Sequence, residues 1–389
     1  MLTTPIPPPP PTPAPAPPFD RSLAHAARIA ALSPSSHNCQ PWALAHLAGT
    51  EARRAAAALL GEDASGPQRY LALALDRDRQ LTALAAHGLE MLLSCGLYGQ
   101  LLVRALAAQG WALARTVFVP PEAPPLHARW PQRWTTLCVM KLVPNARPAE
   151  SIEQLRATAD ARRTNRAPYR AEPPDPALLN ALGAPGAALC ENLDINVRYL
   201  SDAADRARFA RLLARHGGRD FSDLTAWRET HSYIRPPEKS ARHEDGFTLA
   251  QLFGPMRPAR RLLMERALAP ATMRALRHLG YPRLLAGQLA ALVRDTPVIS
   301  ILSLQVREPD ARDTLRAGAY LADYWLRATG SALAMHPLSI LLQHDDTREE
   351  LQTHFELPGR AFFVARLGYP TAAFPRTARR TAPDACREL

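Results

Sequence analysis

Lysine is nearly missing from this chain: Lys141 and Lys239 are the only two, and every other cation is arginine. The formal net charge is +11, yet no polybasic block exists, because the arginines alternate with acids as in Asp76-Arg77-Asp78-Arg79. Nucleic-acid binding draws on clustered cations that displace condensed counterions, so this spread argues for a solvated surface and against a nucleic-acid partner. Cysteine is also scarce. Cys39, Cys95, Cys138, Cys190 and Cys386 are odd in number, far apart, and form no Cys-x-x-Cys pair, which excludes a disulfide framework and a zinc site. His231 and His243 lack a ligand-spaced partner, so no metal is expected. No uninterrupted apolar run approaches the roughly 20 residues of a membrane helix, and no membrane partner is expected. Residues 1–18 carry no charge and are mostly proline, without the basic start and apolar segment of a secretory signal. They read as a disordered, polyproline-like tail on a cytoplasmic protein.

What is present is ample apolar material: 47% of 389 residues, with 21% charged, the balance of a globular protein of about two ordinary units. An alanine-rich helix from about 19 stops at Ser33-Pro34, since proline disfavours helix in the residue before it. Strand-like runs follow at 42–47 and 70–75, then a long apolar helix over about 79–109 and strands near 116–119 and 135–143. A seam at 144–148 separates a first half, 19–147, from a second, 148–389. The second half offers a helix from 151, a basic run at 161–166, strands at 195–200, 298–306 and 362–367, and a helix over about 311–329. The expected class is α+β. Gly96-Leu-Tyr98 and Gly318-Ala-Tyr320 make a faint internal repeat. On the order of seventy extra residues in the second half, about 202–295, mark an insert that suits a lid.

Two segments carry candidate chemistry. Ser33-Pro34-Ser35-Ser36-His37-Asn38-Cys39-Gln40-Pro41-Trp42 is the densest run of small polar residues. Its hydroxyls and amides, held between prolines, supply donors and acceptors for the edge of a planar heterocycle; the same residues also suit an Asx or hydroxyl turn that caps the next element. Arg162-Arg163-Thr164-Asn165-Arg166 places three guanidinium groups and a hydroxyl within five residues, a set that grips phosphate or carboxylate oxygens or forms a solvated basic turn. Arg376, Arg379 and Arg380 near the C-terminus offer a second grip or an exposed tail.

Taken together, the segments resemble a known family. Ser-Pro-Ser-Ser-x-Asn-x-Gln-Pro-Trp looks like the signature loop of the nitroreductases, and Arg-Arg-Thr-Asn-Arg is similar to their Arg-Arg-Ser-x-Arg element. Family members carry both on each protomer of a homodimer that holds two FMN molecules at its interface. Here the loop comes first and the arginines later. The first half has Ala24-His-Ala-Ala-Arg28 without the arginine element, and the second has Gly183-Ala-Pro-Gly-Ala-Ala-Leu-Cys190 without Ser, Asn and Gln. This complementary loss resembles the Acg-type branch of fused nitroreductase-like chains. It implies a nitroreductase-like fold with two half-modules packed as an intramolecular pseudo-dimer, a monomer that keeps one FMN.

The resemblance assigns cofactor contacts to Arg162, Arg163, Thr164 and Arg166 from one half and to Pro34, Ser35, Ser36, Asn38 and Gln40 from the other. Leu333-Ala-Met335-His336-Pro337 lies where the family runs backbone amides past the flavin. The family's glutamate-glycine is absent there, so only the backbone role of Met335 and His336 carries over. Arg376 and Arg379 resemble the phosphate-binding tail. The implied activity is transfer of hydride from NADH or NADPH, through flavin N5, to a nitroaromatic or quinone-like small-molecule acceptor. The flavin carries that chemistry, so no catalytic side chain is expected. The alternative is a silent flavin-sequestering protein whose insert closes the nicotinamide entrance.

Overall fold

The computed structural model describes residues 18–120, 122–145, 147–237, 243–381 and 385–389. The proline-rich stretch 1–17, Lys239 and the part of the insert at 238–242 lie outside the described residues.

Helix α1 (Phe19–Ala30) buries Phe19, Leu23, Ala26, Ile29 and Ala30, the spacing of one helical face, and ends just ahead of Ser33-Pro34. The first sheet is built from β1 (Trp42–His46), β2 (Arg69–Asp76), β3 (Trp111–Phe118) and β4 (Trp134–Pro144) in the order β3-β4-β2-β1. Strand β1 is buried along its whole length because both faces are covered. Trp42 and Leu44 enter the central core, while Ala43 and Ala45 enter a second cluster beside α2 (Thr50–Leu60), a helix the sequence reading had not separated from its flanking strands.

After α4 (Ile152–Ala161) and α5 (Pro176–Leu182), the second sheet uses β5 (Ile195–Leu200), β6 (Val298–Leu304), β7 (Ala334–Pro337) and β8 (Arg360–Gly368) in the order β5-β6-β8-β7. Read from its other edge, that order is third, fourth, second, first along the chain, the same as in the first sheet. A short final strand, β9 (Cys386–Glu388), returns from the C-terminus and pairs in parallel with β1, matching Leu44 to Cys386 and His46 to Glu388. The second half thereby covers the open edge of the first-half sheet.

Helix α3 (Ala86–Ala107) and the Ala311–Gly330 helix occupy corresponding places, between the second and third strands of their sheets, and pack on each other. A Cβ on Gly96 would collide with the Leu315 carbonyl, and one on Gly318 with the Leu93 carbonyl. The two Gly-x-Tyr motifs therefore sit where the helices cross, and glycine permits that approach. By length and composition α3 is apolar enough to cross a membrane, but most of it lies inside this core.

Helix α3 starts at Ala86, later than expected. Residues 77–79 form a 3-10 turn, and the amides of Thr82 and Ala83 bond to the Glu229 carboxylate at 2.7 and 3.2 Å. That acid belongs to the insert, so the helix start is set by a contact far away in sequence. The insert itself is helical, with α6 (Ala203–His216), α7 (Gly218–Ser222), α8 (Leu224–Ser232) and further helices at Leu249–Phe253, Pro258–Ala267, Pro270–Leu276 and Tyr281–Arg294. It carries a small core of its own around Trp227, Leu249, Leu268 and Met273, with Trp227 Nε1 donating to the Leu268 carbonyl at 3.0 Å.

Candidate functional site

The serine-rich loop folds as a 3-10 turn, Ser36–Asn38, in which His37, Asn38 and Gln40 have φ of 50°, 55° and 53°. Left-handed conformations in three non-glycine residues cost free energy and persist only where tertiary contacts over-determine them. Those contacts are present. The Asn38 amide nitrogen donates to the carbonyls of Gly246 (2.9 Å) and Ala378 (3.0 Å), and its oxygen accepts from Arg379 Nη1 at 2.8 Å. The Gln40 amide donates to the Glu244 carbonyl at 2.6 Å and accepts from Arg380 N at 2.8 Å. One loop thus ties together the insert and the C-terminal tail.

The arginine run leaves α4 and is clamped to β7. Thr164 bridges Met335, and Asn165 N donates to the Met335 carbonyl at 3.0 Å. Loop and run face each other across a two-armed cleft. A polar chamber of about 350 Å³ is lined by Asn38, Arg162, Arg163, Arg376 and Arg379, with Phe247 and Gln251 contributed by the insert. An apolar slot of about 250 Å³ runs between α3 and β8, past Leu93, Trp325, Pro337 and Phe363. Pro34, Ser35, His37, Thr164 and Arg166 line both arms.

The chamber is a nest of cations short of anions. Arg162 is only 6% exposed; its guanidinium lies 4.9 Å over the Trp325 ring and makes one hydrogen bond, 3.2 Å to the Leu32 carbonyl. Its Nε and Nη1 are buried without an acceptor, as is Nε of Arg379. Burial, reinforced by Arg379 and Arg163, holds the Arg162 pKa well below its ordinary value. Burial also pulls Arg166 and Arg379 down to about 10. Arg376 pairs with Asp160, the one carboxylate bound to this group among the described residues. Such a set favours an incoming dianion, which relieves mutual repulsion and fills the empty donor directions. His37 stacks on Tyr233 of the insert at 5.7 Å, and burial lowers its pKa to about 3, so the ring in the cleft is neutral.

The structure brings together Pro34, Ser35, Ser36, Asn38, Arg162, Arg163, Thr164, Arg166, Arg376 and Arg379 around the cleft. The Gln40 side chain does not line it, nor do Met335 and His336, of which only a backbone role is expected. Gln40 is fully buried, with its amide consumed by backbone partners. The Met335 side chain lies in the core, and its carbonyl is spent on Asn165. His336 is buried against Arg366 at 3.2 Å, and Pro337 is the residue of β7 that reaches the slot. Sequence reasoning missed Glu90 and Gln343; Arg380, offered as a second grip or an exposed tail, is buried and donates to the Gln40 and Trp42 carbonyls. Glu90 was legible only as the one acid near the start of an apolar helix.

The corresponding corner of the second half is filled. Its loop forms a matching 3-10 turn, Ala188–Cys190, with Ala188 at φ 54°. Buried Asp323 accepts from Gln100 and pairs with Arg104, both at 2.9 Å, while Gln100 also holds the Ala187 carbonyl at 2.9 Å. Side chains from α3 occupy the place that is a cleft on the other side.

No family model matches the chain. It is 32% identical over 363 residues to the "Probable NAD(P)H nitroreductase PigM" of Serratia sp., spanning 90% of this chain and 89% of that protein. Among solved structures, the FMN-dependent nitroreductase NfnB from Mycobacterium smegmatis aligns with 58% of this chain and 95% of its own at 18% identity and a TM-score of 0.35. A nitroreductase with bound FMN from Bacteroides fragilis aligns with 59% and 95% at 13% identity and a TM-score of 0.33. The weight rests on the Serratia relative, whose likeness runs through nearly the whole of both chains, and on that ground this chain belongs to the nitroreductase family.

Proposed function

We propose that the chain is an FMN-dependent NAD(P)H oxidoreductase of nitroreductase type, folded as an intramolecular pseudo-dimer of the Acg-type fused layout with one working flavin site. The observation that carries this reading is the pair of buried Arg162 and half-buried Arg379, which meet at the Leu32 carbonyl with unpartnered guanidinium nitrogens beside the chamber. Those nitrogens fit a phosphate monoester in charge and in donor geometry. Arg162, Arg163, Arg376 and Arg379 would hold the FMN phosphate; Ser35 and Thr164, at the neck between the arms, would hold the ribityl chain. Arg166, which has no hydrogen-bond acceptor among the described residues, would face the pyrimidine edge and stabilise negative charge there. Leu93, Trp325 and Phe363 keep water from the slot.

Bound there, FMN supplies two-electron hydride chemistry between NAD(P)H and a nitroaromatic or quinone-like acceptor. The pseudo-dimer reading is supported by the identical strand order of the two sheets, the glycine crossing of their long helices and the exchange of β9. The filled corner around Asp323 supports one flavin per chain, in a monomer. Phe247 and Gln251 over the chamber support a lid role for the insert.

The test is an absorption spectrum of the purified, FMN-saturated chain followed by anaerobic mixing with NADH and NADPH. The expected results are a ratio near one FMN per chain and bleaching of the yellow band within seconds. A colourless chain that takes up no FMN refutes the reading. A band that survives pyridine nucleotide but fades with dithionite replaces it with sequestration.

A further inference from the structure

The apolar slot contains one acid. Glu90 projects from the first turns of α3 among Leu89, Leu93 and Phe362. Its Oε2 accepts from the Ser36 hydroxyl, and its Oε1 accepts from Gln343 Nε2 at 2.9 Å. No cation pairs with it among the described residues. Arg348 and Arg360, at the same slot, are engaged with Asp345, and Arg166 stands at the neck. Two carboxyl–imidazole pairs lie behind it: His87 with Glu229 of α8 at 3.0 Å, and His344 with Asp220 of α7 at 2.8 Å. Burial pushes the Glu90 pKa up against the lowering effect of the Ser36 hydrogen bond, of His87 and of the Gln343 hydrogen bond, and pushes Asp220 up to about 6. A buried carboxyl with no counter-ion bound to it resists ionisation. The Ser36 hydroxyl, able to donate or accept, accommodates either state.

We propose that Glu90 is the proton donor of this cleft, giving its proton to an oxygen of a flat, uncharged quinone seated in the apolar slot. This rests on the flavin reading above. The balance is a two-electron reduction: bound FMN would relay the hydride of NAD(P)H to one quinone oxygen. The proton from Glu90 goes to the second quinone oxygen, giving neutral hydroquinone, oxidised flavin and a Glu90 carboxylate. That carboxylate recovers its proton from solvent. A neutral acid in an apolar slot selects an uncharged carbonyl acceptor over an anionic one, because a carboxylate ligand there would itself be stripped of water.

The test compares the FMN-loaded chain with Glu90→Gln and Glu90→Asp in anaerobic half-reactions. Reduced flavin is re-oxidised by menadione, which needs a proton, or by ferricyanide, a one-electron acceptor that needs none. The expected result is that Glu90→Gln slows re-oxidation by menadione at least about tenfold, that Glu90→Asp recovers part of the rate, and that ferricyanide and the flavin-to-chain ratio are unaffected. Infrared spectra of the chain without FMN should show a protonated-carboxyl band that Glu90→Gln removes. An equal loss with both acceptors, an unchanged menadione rate, or spectra without that difference overturns the proposal. If the wild-type chain takes up no FMN, the flavin reading falls, and the infrared comparison still decides whether Glu90 holds a proton.

Discussion

Asn38 and Arg379 stand 341 positions apart in the chain and meet at 2.8 Å, the guanidinium donating to the amide oxygen. The other end of the same amide holds the insert at Gly246 and the tail at Ala378, so one side chain joins three separate stretches of the chain. The left-handed backbone at Asn38 is offset by these bonds.

Asn38→Ala removes all three bonds, strips the Gly246 carbonyl of its amide donor and leaves Arg379 Nη1 with only Thr377 and Ala378 as acceptors. The expected cost is roughly 2 kcal/mol of unfolding free energy with a clear loss of FMN retention. Denaturant titration and flavin-release measurements check it; a variant as stable and as yellow as the parent refutes the pinning role.

Arg162→Met separates stability from binding. With no anion in the chamber, Arg162 pays for burial and for the repulsion of Arg163 and Arg379. The methionine variant should therefore be more stable than the parent without FMN, by about 1 kcal/mol, yet bind FMN at least about tenfold more weakly. Thermal unfolding with and without FMN reads both effects, and a destabilised FMN-free variant would contradict the cation-nest description.

Asp323→Ala should do the reverse. It strips Arg104 and Gln100 of a buried partner in the filled corner and should cost about 3 kcal/mol while leaving FMN content per chain unchanged. A gain of a second flavin, or a loss of the first, would show that this corner is not the closed counterpart of the cleft.

The pH response of His37 has a definite sign. Its folded-state pKa is depressed to about 3 from an ordinary 6.5, so between those limits the unfolded chain binds a proton that the folded chain does not. Stability therefore rises with pH across that window; the contribution is complete above about 6.5 and is lost as the pH falls towards about 3. His37→Phe should flatten this part of the stability profile, and a variant profile parallel to the parent's would assign the acid sensitivity elsewhere.

Gly318→Ala tests the helix crossing. The added methyl group meets the Leu93 carbonyl, and α3 cannot withdraw without opening the core, so the variant should lose on the order of 2 kcal/mol or more. Gly330→Ala, where a Cβ meets nothing, is the control and should be neutral or slightly stabilising.

Much was legible in the residues themselves. Alternating apolar runs located β1, β2 and β4, proline 34 ended α1, and the two Gly-x-Tyr motifs marked the helices that cross. The polar loop offered donors and acceptors for a heterocycle edge, and the arginine run offered a phosphate or carboxylate grip, because their chemistry is local. The short helix α2, the delayed start of α3 and the strand β9 were not legible. A three-residue strand has no periodicity of its own, and the start of α3 depends on Glu229, about 150 residues away.

The amino-acid sequence alone determined which polar groups this protein can offer a ligand: guanidinium forks, small hydroxyls and side-chain amides, all written as residue types at short spacing. Only the tertiary structure decided which of them reach the cleft. Gln40 has the right chemistry, but its amide is committed to joining the insert and the C-terminal tail to the loop. Glu90 carries no signal in its neighbours and becomes an acid in an apolar slot only when the loop, the Ala311–Gly330 helix and β8 close around it. A side chain's reactivity depends on water and charge within a few ångströms, and in a folded chain those neighbours come from remote positions.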